Sequence, residues 1–168
     1  MNEGQYQIDL IEVGNVLTLY KTRLEELVKR KIEQKDKIAS GKLLASISTR
    51  VELDGVQYIV YLDSLKYLKF LETGTKPHWP PTEPILQWVR DKKLPTREYT
   101  GSKSLPTEKQ VAYLVRKKIS EEGTSPNFIL AETVEELNAE FMPLLLEALK
   151  TDIINSLPVI QLQLRFMA

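Results

Sequence analysis

Tyr67-Leu-Lys-Phe-Leu-Glu-Thr-Gly-Thr-Lys-Pro77 and Ala112-Tyr-Leu-Val-Arg-Lys-Lys-Ile-Ser-Glu-Glu-Gly-Thr-Ser-Pro126 are two helix-stop signals of the same design. In each, an apolar-periodic segment runs into Gly-Thr-x-Pro. A glycine just past a helix takes the left-handed backbone that closes the last turn, and a proline soon after cannot continue the helix. Gly74, Gly123 and Pro126 are therefore read as structural turn residues. The first signal leads into His78-Trp-Pro-Pro81 and a short amphipathic segment, Ile85–Arg90; the second leads into Asn127-Phe-Ile129. Their surroundings differ too much for an internal repeat.

Working outward, Ile47, Thr49, Val51 and Leu53 alternate with Ser48, Arg50 and Glu52, and Val56, Tyr58, Val60 and Leu62 alternate with Gln57, Ile59 and Tyr61. Asp54-Gly55 between them is a two-residue turn of the kind hairpins favour. The expectation is an antiparallel sheet built on a β-hairpin at about 46–62. Its second strand, apolar on both sides, is expected to be covered on both faces. Upstream, Tyr6, Ile8 and Leu10 suggest a short strand, and Asn15 a helix N-cap. Leu17, Tyr20, Leu24, Leu27, Val28 and Ile32 mark a long amphipathic helix from Val16 to about Lys35.

Further helices are expected at Leu65–Glu72, Glu83–Lys92 and Thr107–Glu122, the last opened by a capping box from Thr107 to Gln110. Residues 94–106, rich in Pro, Gly, Ser and Lys, read as a mobile loop. A long helix from Ala131 to about Ser156 contains Pro143, which removes one hydrogen bond and favours a kink. Beyond Pro158 the period becomes two, with Ile160, Leu162, Leu164 and Phe166 on one side, so residues 158–168 form an expected C-terminal strand arm. Two destinations are open for it: its own sheet edge, or a neighbour's by strand addition. The fold class is α+β in one domain, 1–168, of a size that buries roughly two thirds of its unfolded surface.

The 23 Lys and Arg balance the 23 Asp and Glu, so no global field favours nucleic acid or an anionic membrane. The absence of cysteine removes disulfides and thiol chemistry and fits a reducing cytoplasm. No apolar run reaches the ~20 residues of a membrane span, and an N-terminus with Glu3 and Asp9 does not read as a signal peptide. His78 is the only histidine; without an orienting partner or a ligand set it reads as packing against Trp79 rather than as a catalytic or metal site. The expectation is a non-enzyme without metal or cofactor. Trp79 between prolines has the profile of a contact anchor, or else of a lid folded over the core.

Taken in order, Ser40-Gly-Lys-Leu-Leu-Ala-Ser-Ile47, the hairpin, Tyr67–Thr75, Pro80-Pro81, Leu86-Gln-Trp-Val89, Ala112–Ile119 and Gly123-Thr-Ser-Pro-Asn-Phe128 resemble the head–tail joining family of tailed bacteriophages, also called tail-completion or neck proteins. The resemblance covers about the middle hundred residues. The chain departs from the pattern at Ser40, where threonine is usual, at Leu68, where a small residue is usual, and in its C-terminal strand. The resemblance implies an α+β virion protein that forms a ring with copies of itself at the neck, between portal or connector and tail-tube proteins. It would assemble in the bacterial cytoplasm, with genome DNA passing through the ring and no sequence-specific DNA reading. A tail terminator or tail-tube cap, and a phage-encoded host-directed enzyme or regulator, are the rival readings. The subunit contacts are expected at Thr75, Lys76, Pro77, His78, Trp79, Pro80 and Pro81, and at Ile160, Leu162, Leu164 and Phe166.

Overall fold

In chain order the elements are α1 (Ile11–Gln34), α2 (Lys42–Ser46), β1 (Ser48–Asp54), β2 (Gln57–Asp63), α3 (Tyr67–Thr73), α4 (Thr82–Asp91), α5 (Arg97–Thr100), α6 (Glu108–Glu122) and α7 (Ile129–Ser156). They come from a computed structural model that describes residues 9–54 and 57–156. The fold is α+β and mostly helical, with one two-stranded antiparallel sheet among the described residues.

The main core lies where α1, α3 and α7 meet. Leu27, Val28 and Ile32 of α1 are fully buried against Ile129, Leu137 and Phe141 of α7 and Leu68 and Leu71 of α3, with Leu43 and Ile47 closing one end. The α1 apolar spacing therefore does what its period implies. A smaller cluster of Leu86, Val89 and Ala112 joins α4 to α6, flanked by Trp88 and Leu94. The capping box is present as read: Thr107 accepts from the Gln110 N–H, and the Gln110 side chain accepts from the Thr107 N–H.

The hairpin pairs Val51 with Val60, Leu53 with Tyr58 and Asp54 with Gln57. Asp54 is thus a paired residue at the end of β1 rather than part of the turn as expected; Gly55 and Val56 lie outside the described residues. One face meets α1 through Val60 and Leu62, and the Tyr58 hydroxyl donates to the Leu10 carbonyl at 2.9 Å. The other face is open to solvent. There the Arg50 guanidinium lies 3.9 Å over the Tyr61 ring and pairs with Glu52 and with Asp63. Among the described residues the expected double coverage of β2 is not found: Ile59 and Tyr61 are only half-buried, and β2 is paired with β1 alone.

The start of α1 is a second correction. Asn15 is inside the helix, which begins at Ile11 with Leu10 at the cap position and no side-chain cap of its own. The cap comes from the far end of the chain. Asp152 of α7, 2% exposed, accepts from the Glu12 N–H at 2.9 Å and the Val13 N–H at 3.0 Å. A carboxylate there satisfies two orphan donors and complements the helix dipole. Asp152→Ala is expected to cost about 1–3 kcal/mol, since it strands two part-buried helix donors, whereas Asp152→Asn, which keeps an acceptor, is expected to lose less. Urea unfolding of the two variants checks the order; equal losses would contradict the cap.

Along the rest of the α1–α7 seam, Arg23, Arg30, Lys31 and Lys35 meet Glu140, Glu136 and Glu132. The Lys35 ammonium holds the Glu132 carboxyl below its usual range, and Lys31, with Arg30, does the same for Glu136. A lowered folded-state pKa gives stability that is present above the unfolded pKa and lost as pH falls through the folded one. The melting temperature is accordingly expected to drop below the ordinary carboxylate range, and the Glu132→Gln/Glu136→Gln double variant to show a shallower drop. Parallel pH profiles for the two proteins would contradict this assignment.

α7 runs through Pro143 as a single helix. Residues 94–106, expected as a mobile loop, hold α5, a single turn whose cap Thr96 is 1% exposed and accepts from the Tyr99 N–H. Glu98 in that turn accepts from the Glu108 N–H at the start of α6. The strands expected at residues 5–10 and 158–168 lie, apart from Asp9 and Leu10, outside the described residues. This includes Tyr6, Ile8, Ile160, Leu162, Leu164 and Phe166.

Candidate interaction site at the paired Gly-Thr-x-Pro segments

The two helix-stop signals close on each other. The Thr75 N–H donates to the Thr124 carbonyl and the Thr124 N–H to the Thr75 carbonyl, both at 3.0 Å, in an isolated antiparallel bridge. Their hydroxyls are also 3.0 Å apart. The flanking bonds repeat the exchange: the His78 N–H reaches the Ile119 carbonyl at the end of α6, and the Asn127 N–H reaches the Leu71 carbonyl at the end of α3. Each terminus therefore satisfies a carbonyl of the other helix, a need that every helix end must meet.

Glycine is required twice here. Gly74 (φ 67°, ψ −172°) and Gly123 (φ 74°, ψ −152°) occupy a backbone region almost closed to other residues. A Cβ on Gly74 would stand 2.2 Å from the Thr124 carbonyl oxygen, and one on Gly123 would stand 2.1 Å from the Thr75 oxygen. The close approach of the two backbones, not only the turn, excludes a side chain. Glu72, two residues before Gly74, extends the clasp by accepting from the Leu130 N–H at 2.7 Å and the Ala131 N–H at 3.0 Å. Its carboxylate caps α7 much as Asp152 caps α1.

Trp79 leaves this clasp pointing outward, 50% exposed. It is not a lid on the main core. Arg116 of α6 holds it from one side, with its guanidinium carbon 4.8 Å from the ring and its Nε donating to the Pro80 carbonyl at 2.8 Å. Tyr113, one helical turn earlier, meets the ring edge-on at 6.1 Å. Pro80 is buried beneath, while Lys76, Pro77, His78 and Pro81 are exposed. The His78 ring turns to the Lys76 carbonyl at 2.9 Å. Within Thr75–Pro81 the structure thus exposes Trp79 on a support made by Tyr113 and Arg116 of α6, neither of which is among the expected contact residues. Their signal was the i, i+3 spacing on α6.

Beyond Tyr113 an open groove of about 700 Å³ continues between α6 and the segment around α5, lined by Leu105, Pro106, Leu114, Arg97 and Lys109. Among the described residues no group of three His, Asp or Glu side chains is placed to hold a metal ion, and no described helix is long and apolar enough to cross a membrane. What the arrangement offers chemically is a half-exposed aromatic anchor near an open groove of mixed apolar and polar lining that includes Arg97 and Lys109, the makings of a protein contact. No protein-family model, curated protein or solved structure matches the chain.

Proposed function

We propose that this chain is a structural virion protein of a tailed bacteriophage, a ring component of the neck that joins the head, on its portal side, to the tail. The observation that carries the reading is the clasp. Two of the motifs that carry the family resemblance are hydrogen-bonded to each other, and from their junction Trp79 projects, supported by Tyr113 and Arg116. A ring subunit requires an interface whose two sides are different surfaces of the same chain. The clasp, together with the groove beside it, supplies one such side, formed by folded backbone rather than by a loose loop. The protein works by filling a place in the assembly and turns over no substrate.

The test is genetic. Phage lacking this chain are expected to accumulate heads and tails that fail to join, and the chain supplied in trans restores whole particles. Normal joining in its absence would refute the proposal.

A further inference from the structure

The second half of α7 is apolar on nearly every side. From Phe141 to Ile154 its only charged residues are Glu147, Lys150 and Asp152, and Asp152 is spent on the α1 cap. Met142, Leu146, Leu149 and Ile153 recur at i, i+4, i+7 and i+11 and are 38–61% exposed. They form a stripe of the kind that seats in grooves. A helix apolar all round belongs in an interior, yet among the described residues this half is buried only at Phe141, which meets Tyr20 of α1, at Ala148 and at Asp152.

Tyr113 and Leu114, both more than half exposed, line the groove beside the clasp, and the half-exposed Trp79 packs edge-on against Tyr113. The two apolar surfaces lie on different parts of the same chain. Their charges are complementary. Arg97 and Lys109, which line the groove, make no ion pair among the described residues, and neither does Glu135, which lies two turns before Met142 on the line of the α7 stripe.

We infer that a second copy of this chain seats the Met142–Leu146–Leu149–Ile153 stripe of its α7 in the groove lined by Tyr113 and Leu114, beside Trp79. Copies then join head to tail, each offering its groove to one neighbour and its helix to the other. This rests on the ring reading above and names its two contact surfaces.

The chain has no cysteine, so engineered thiols report cleanly. Leu114→Cys and Leu146→Cys, both at exposed positions, are mixed as separate chains and oxidised, with Lys118→Cys in place of Leu114→Cys as the control. A mixed 114–146 disulfide is expected at about tenfold over the control, as one decade in association constant would give. A single chain carrying both thiols is expected to give a ladder of oligomers. Disulfides at 146–146 alone, or no excess over the control, would overturn the head-to-tail contact. So would protection of the 146 thiol from alkylation at dilutions where the chain is monomeric, since its own chain would then cover the stripe. Failure of the neck reading looks different: the mixed disulfide forms, but the chain is missing from particle necks.

Discussion

Gly74→Ala and Gly123→Ala are each expected to lower the unfolding free energy by roughly 3–5 kcal/mol, from a forbidden backbone region and two lost hydrogen bonds. The added methyl meets a carbonyl oxygen of the opposing segment, and backbone on both sides leaves it nowhere to move. Gly101→Ala is the control. Gly101 also has positive φ, at 75°, but a Cβ there meets nothing within 4 Å, so only the left-handed penalty of about 1–2 kcal/mol applies. Urea midpoints of the three variants read the difference directly. A Gly74 or Gly123 variant no less stable than the Gly101 variant would mean that the two segments do not approach as described. Because both glycines act on one bridge, the double variant is expected to lose less than the two single losses together.

Trp79→Ala is expected to separate assembly from folding. The ring is half exposed, and its partners Tyr113 and Arg116 are worth only about 0.5–1 kcal/mol each at such a site, so thermal stability should fall little. A buried tryptophan anchor in an interface, by contrast, commonly contributes 2 kcal/mol or more, about a 30-fold change in affinity. Phage carrying the variant should therefore show a large loss of joined particles with normal amounts of soluble chain. Full infectivity would remove Trp79 from the contact surface, whereas loss of the folded chain itself would make it a structural residue.

Local signals were legible in the sequence. The α1 period, the Thr107–Gln110 box and the helix stops at Gly74 and Gly123 each depend on residues within a turn or two of one another, and all are present in the fold. What was not legible is non-local. Asp152 and Glu72 cap helices well over fifty residues away in the chain, and no spacing rule connects them. The early start of α1 follows from the first of these, since Ile11 needs a cap that its own neighbours do not provide. β2 reads as doubly covered because Ile59 and Tyr61 are apolar, but Arg50 lies across Tyr61, and among the described residues β2 pairs only with β1. The two Gly-Thr-x-Pro segments are visible in the sequence as helix stops of one design, but their pairing is not. Its meaning, two helix ends completing each other's hydrogen bonds, required their spatial relation. Of the expected contact residues, Thr75–Pro81 stand together in the fold, while Ile160, Leu162, Leu164 and Phe166 fall outside the described residues.

The most direct measurement is averaged electron-microscopic density of the intact particle's neck at a resolution that shows side chains. The account predicts a closed ring of copies of this chain, with the Thr75–Thr124 bridge intact in each and Trp79 buried against the next subunit. Density showing this chain as isolated copies, or as a ring whose Trp79 faces bulk solvent, would contradict it.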